Sequence, residues 1–169
     1  MKKFRITKYN PSFRNERGEY ILDEWTSFYD IGKKFYDGIL TEQAYFEKEH
    51  AYIQAIELLL RDNDLRLMHI VQLEKNIPED LYKSLTNNEK KFIENIEVGM
   101  SIIHNDIKSL CKMILRELVW AKLESPNGLL AIEFGYDYYM YVICNEIDEK
   151  TKENILRSGL FVEYMGKED

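Results

Sequence analysis

Leu129-Leu130-Ala131-Ile132-Glu133-Phe134-Gly135-Tyr136-Asp137-Tyr138-Tyr139-Met140-Tyr141-Val142-Ile143-Cys144 is the stretch whose reading decides the fold. Two apolar and aromatic runs, Leu129–Phe134 and Tyr138–Cys144, flank the short loop Gly135-Tyr136-Asp137. β-Prone runs on either side of a glycine-bearing turn predict a hairpin.

Toward the C-terminus, Glu149 to Arg157 suits a helix, Gly159 its end and Leu160–Met165 a last strand. Toward the N-terminus, Ser125-Pro126-Asn127-Gly128 stops the strongest helical pattern in the chain. From Met100 to about Glu124, Ile103, Ile107, Leu110, Ile114, Leu118 and Ala121 keep the i, i+3/i+4 spacing, with Cys111, Leu115 and Val119 widening the stripe. This predicts one long core helix over 100–124. Earlier still, Leu65–Leu73 reads as an apolar strand. Pro78 starts a short helix to Leu85, and Phe92, Ile93 and Ile96 suggest another. Thr41 is placed to cap a helix to about Arg61, whose stripe is Tyr45, Tyr52, Ile56 and Leu59; Glu47, Glu49 and Glu57 fall on a solvated face. Thr26 or Ser27 caps a short helix to about Tyr36, and Phe4–Tyr9 is the first strand. The expectation is a single α+β domain over residues 1–169, a mostly antiparallel sheet packed against several helices.

Composition narrows the function classes. A chain of 169 residues buries enough surface, roughly 70% of its unfolded exposure, to fold without staples. The net charge of −7 argues against direct nucleic-acid binding, which wants a basic face, and suits a basic protein partner. Twelve tyrosines supply broad contact area with polar tips, in a core or on a binding surface. Cys111 and Cys144 have no CxxC spacing and read as buried hydrophobes. With no apolar leader at the N-terminus and no run of about 20 apolar residues, the expected compartment is the cytoplasm, without a membrane.

Catalytic signatures are missing. There is no GxxxxGK[ST], GxGxxG, HExxH, GxSxG or EF-hand loop, and the eight glycines are scattered as turn punctuation. His50, His69 and His104 fall on separate elements, so no metal set forms from spacing. Glu133 and Asp137 are the one carboxylate pair placed for hydrolysis, with no companion motif. No catalytic residue, cofactor or metal is expected.

Two acidic, aromatic clusters remain. Asp23-Glu24-Trp25-Thr26-Ser27-Phe28-Tyr29-Asp30-Ile31-Gly32 holds three acids and no base; between Leu123 and Glu149 there is again no Lys or Arg. For a contact surface the second cluster leads, through Glu133, Tyr136, Asp137, Tyr139, Glu146 and Asp148, ahead of Asp23, Glu24 and Asp30 in the first.

Arg5-Ile6-Thr7-Lys8-Tyr9-Asn10-Pro11, Phe13-Arg14-Asn15, Gly18, Asp23 through Ser27 and Asp30-Ile31-Gly32-Lys33 together resemble the N-terminal region of small bacterial immunity proteins. These are the antidotes encoded beside toxins of contact-dependent growth inhibition and related polymorphic toxin systems. The resemblance implies a non-enzymatic inhibitor that binds the cognate toxin's C-terminal domain in the producing cell. Many such toxins are nucleases, whose basic sites carboxylates and aromatic rings can cover. Because the resemblance runs through Trp25, that residue is expected to be a packed anchor, with Asp23, Glu24 and Asp30 capping or rimming it. The alternatives are an acidic adaptor or regulatory protein and, from a different class, a small hydrolase.

Overall fold

The computed structural model describes residues 1–167. Strand β1 (Lys2–Thr7) is followed by a small ribbon, β2 (Lys34–Phe35) and β3 (Gly38–Ile39), and then by helix α1 (Glu42–Asp62). Next come β4 (Leu67–Glu74), α2 (Glu79–Ser84), α3 (Asn87–Asn95), β5 (Ser101–Ile103) and α4 (His104–Leu115). The chain closes with β6 (Trp120–Glu124), β7 (Leu130–Phe134), β8 (Tyr139–Cys144), α5 (Glu149–Arg157) and β9 (Phe161–Lys167).

The hairpin forms as its residues predict, with Ile132 opposite Val142 and Glu133 opposite Tyr141. It lies at the centre of a seven-stranded sheet of order β5-β4-β6-β7-β8-β1-β9, in which every neighbouring pair is antiparallel. Period-2 alternation sends Leu123, Ile132, Val142 and Phe4, one row across four strands, into the core. The next row, Lys122, Glu133, Tyr141, Arg5 and Glu163, lies on the opposite face. Helix α1 packs against α4 and α5 over the apolar face and buries Tyr45, Tyr52, Ile56 and Leu59, the stripe read from spacing. Thr41 caps α1, its hydroxyl accepting from the amide of Ala44. The fold class is α+β, as expected.

The 100–124 helix is shorter than its periodicity predicts. Ser101–Ile103 pair with β4, the helix runs from His104 to Leu115, and Trp120–Glu124 form a central strand. The break is a Schellman turn: the amide of Leu118 bonds to the carbonyl of Met113 and that of Glu117 to Ile114. Glu117 sits at φ 59, the left-handed position that glycine usually takes. With no glycine to announce the stop, and with Leu118 and Ala121 keeping helical spacing by chance, the pattern runs on past the helix. The segment after Ser27 is likewise not a helix to Tyr36. Ser27 and Asp30 form a capping box on a single 3₁₀ turn, Phe28–Asp30, and Gly32 at φ 90 then turns the chain into the β2–β3 ribbon.

Glu49 is not on a solvated face. It is 4% exposed and takes both arms of Arg116, Nε and Nη2, at 2.8 Å each. Among the described residues no helix is long and apolar enough to cross a membrane.

Candidate functional site

A cleft of about 400 Å³ takes its lining from both acidic, aromatic stretches of the sequence, the hairpin turn of the second and only Thr26 and Ser27 of the first, whose acids and aromatic rings do not line it. Thr26 and Ser27 form one wall; Phe134 through Tyr138, the hairpin turn, form another. The end of α4 and the turn into β6, Ile114, Leu115 and Glu117 through Trp120, make the floor, and Glu74 and Asn76 close the far side.

Each wall is held by contacts that explain its position. Trp25 is 7% exposed and its ring meets Tyr138 edge-on, centroids 4.8 Å apart. The Tyr138 hydroxyl donates to the Leu115 carbonyl at 2.6 Å, which ties the hairpin turn to the end of α4. Tyr45 donates to the same carbonyl at 3.1 Å. Tyr52 donates to the Tyr138 carbonyl and accepts from the Lys8 amide, joining the hairpin turn to the end of β1. Trp120 donates its indole N–H to the Phe134 carbonyl.

Lys8 fixes the N-terminal segment. Its side chain is 1% exposed, bonds Glu24 at 2.9 Å, and places its ammonium 4.0 Å from the Tyr9 ring centroid and 4.2 Å from that of Trp25. Burial lowers the Lys8 pKa to about 8, against the pull of Glu24. At the opposite face of the sheet, Arg5 and Arg14 both clasp Glu163, which holds the loop after β1 to β9.

The cleft is acidic because its carboxylates are left over. Among the described residues, the side chains of Glu74, Glu117 and Asp137 make no hydrogen bond or ion pair, and no Lys, Arg or His lines the cleft. The cleft also receives the C-terminal end of α4, the negative end of the helix dipole. Arg116, the base nearest that end, is turned away by Glu49. The field extends to Tyr29, whose phenol is pushed up by partial burial and then by the Glu117 carboxylate. Backbone strain gathers here as well. Of the four non-glycine residues with positive φ among the described residues, Glu117, Asp137 and Tyr138 line this cleft and only Asp64 lies elsewhere. Such conformations cost of order 1–3 kcal/mol each and cluster where geometry serves binding. Tyr136, at the tip between Gly135 and Asp137, is 92% exposed.

The structure separates the residues named from sequence. Tyr136 and Asp137 line the cleft. Glu133 does not: its neighbour Phe134 faces the cleft, so alternation sends Glu133 to the opposite sheet face, between Lys122 and Tyr141. Glu133 and Asp137 therefore do not line the same cleft. Tyr139 lies under Arg5 and Arg14 and accepts from Arg14 at 3.3 Å. Glu146 is engaged by Lys2 and Lys152, and Asp148 caps α5 through the Lys150 amide. In the first cluster Asp23 is exposed, Glu24 is taken by Lys8 and Tyr20, and Asp30 caps its turn and pairs with Lys33 at 2.8 Å. Glu74, Glu117 and Trp120 were not legible as site residues. The run Leu118-Val119-Trp120, β-branched and aromatic, was the available sign that a strand, and so a turn at Glu117, begins there.

No group of three or more His, Cys, Asp or Glu residues suited to a metal ion occurs among the described residues. Cys111 and Cys144 are buried free thiols, pushed up by burial to about 12 and about 11. Comparison with protein-family models, with curated proteins and with solved structures returned no match.

Proposed function

We propose that this chain is an immunity protein that binds the C-terminal domain of a cognate bacterial toxin and neutralises it by covering a basic substrate site, such as that of a nuclease. The resemblance carried by residues 5–33 supplies the kind of partner. The observation that carries the chemistry is the cleft: three carboxylates without internal partners around an apolar floor, with a fully presented tyrosine at the rim. Carboxylates facing Lys or Arg steer encounter and fix register, and aromatic side chains buried on binding are the usual anchors of affinity. Strained but rigid turns hold these groups before a partner arrives, which lowers the ordering cost of association.

The inhibitor acts by occlusion, with no chemistry of its own, in the cytoplasm of the toxin-producing cell. The test is co-expression with the product of the gene immediately upstream. A co-purifying complex and survival of cells that otherwise stop growing are the expected result. Cells left unprotected, with no complex formed, overturn the reading.

A further inference from the structure

We infer that the cleft is a receptor for one arginine side chain presented by the partner. The inference rests on the reading of this cleft as the contact surface, and it names the group that enters.

Several independent features select a cation. The floor ends on the C-terminus of α4, whose carbonyls are satisfied by the Schellman amides and by the Tyr45 and Tyr138 hydroxyls, while the dipole still points its negative end into the cleft. Glu74, Glu117 and Asp137 surround that end from three different elements, and none has an internal cation. The protein holds Arg116, its own candidate occupant, in a two-armed bond to Glu49. An internal arginine kept out and carboxylates left free leave the cleft complementary to an arriving charge.

The walls select arginine over lysine. Four aromatic residues line the cleft beside the carboxylates; Phe134 and Tyr138 are buried, which leaves half-buried Trp120 and exposed Tyr136 with ring area for a ligand. A guanidinium is planar, weakly hydrated, stacks on rings and carries five donors for carboxylates arriving from several directions. An ammonium is a compact, strongly hydrated charge that would give up more of its water here.

The test is an NMR titration of the intact chain with N-acetyl-Gly-Arg-Gly-amide, and with the same peptide carrying citrulline, the neutral isostere, or lysine. Saturable shifts at the amides of residues 117–120 and 135–138 are expected for the arginine peptide, with weaker binding of lysine and none of citrulline. Glu117→Gln/Asp137→Asn is expected to weaken the arginine peptide by roughly tenfold or more. No saturable shift at those amides, or equal shifts from citrulline, overturns the inference; equal affinity for lysine overturns the choice of arginine. If the double variant does not fold, the wild-type comparison with citrulline decides alone. Protection from the toxin without arginine binding overturns this inference and leaves the function standing, while arginine binding without protection does the reverse.

Discussion

Trp25 and Tyr138 meet edge to face, ring centroids 4.8 Å apart at 73°, and through them the N-terminal segment is held against the central hairpin. The contact sets Thr26 and Ser27, next in the chain, across the cleft from the hairpin turn. Trp25 also covers Lys8 and packs against Tyr45. Truncating such a residue removes its burial and leaves a cavity. Trp25→Ala is expected to cost about 3–5 kcal/mol, and Tyr138→Phe about 1–3 kcal/mol for the lost bond to the Leu115 carbonyl, both read as shifts in the urea midpoint. An unchanged midpoint for Trp25→Ala would show that the segment is not anchored there.

Glu117 sets stability against binding. At φ 59 it occupies a position glycine takes without strain, and its carboxylate has no internal partner. Glu117→Gly is expected to stabilise the fold by roughly 1 kcal/mol, a rise of about 2–4 °C in Tm for a protein of this size. The same substitution is expected to weaken the complex with the proposed toxin partner in calorimetry by more than about 1 kcal/mol. Moving both quantities in the same direction would refute a contact role for Glu117.

Glu163 makes the fold acid-sensitive. Burial pushes its carboxyl up, but the hydrogen bonds and charges of Arg5 and Arg14 outweigh burial and hold it below the ordinary 4.5. A carboxylate with a depressed folded-state pKa contributes stability that is present above its unfolded value and lost as pH falls through the folded value. Stability from this cluster is therefore expected to hold at neutral pH and to decline below about 4.5, toward the lower folded value. Urea titrations at pH 7 and pH 3 should show Glu163→Gln losing less on acidification than the wild type.

Lys8 acts in the opposite pH range. Burial depresses its folded-state pKa to about 8, against 10.5 for the free side chain. Between those values the folded chain has shed a proton that the unfolded chain keeps, so this residue makes stability rise with pH. The buried tyrosines work against it: Tyr138, Tyr9 and Tyr52 are raised by burial, and their contribution is lost as pH climbs past the ordinary 10. The Lys8 effect is thus expected between about pH 8 and 9.5, as a gain in the wild type that Lys8→Met lacks. Parallel pH profiles for the two proteins would remove Lys8 as the source.

Local signals wrote much of the architecture. The hairpin followed from two β-prone runs around Gly135-Tyr136-Asp137, α1 from its Thr41 cap and stripe, and α5 from its polar start and Gly159. These depend on neighbours within a turn or two, so residue order alone determined them. The end of α4 did not, because a Schellman turn with glutamate in the glycine position is held by the burial of Met113 and Leu118 beneath the sheet.

The fate of each acid was decided only by the tertiary structure. The sequence determined that the chain is acidic, with acids along its whole length and two stretches in which no base lies among them. Which of them stay available depends on cations that folding brings from far away: Lys8 to Glu24, Arg14 to Glu163, Arg116 to Glu49. Asp137 kept its place in the cleft, Glu133 was turned to the other face by strand alternation, and Glu117 entered from outside both stretches. A carboxylate is a contact group only when the fold leaves it unpaired, and pairing is a property of distances that residue order does not contain.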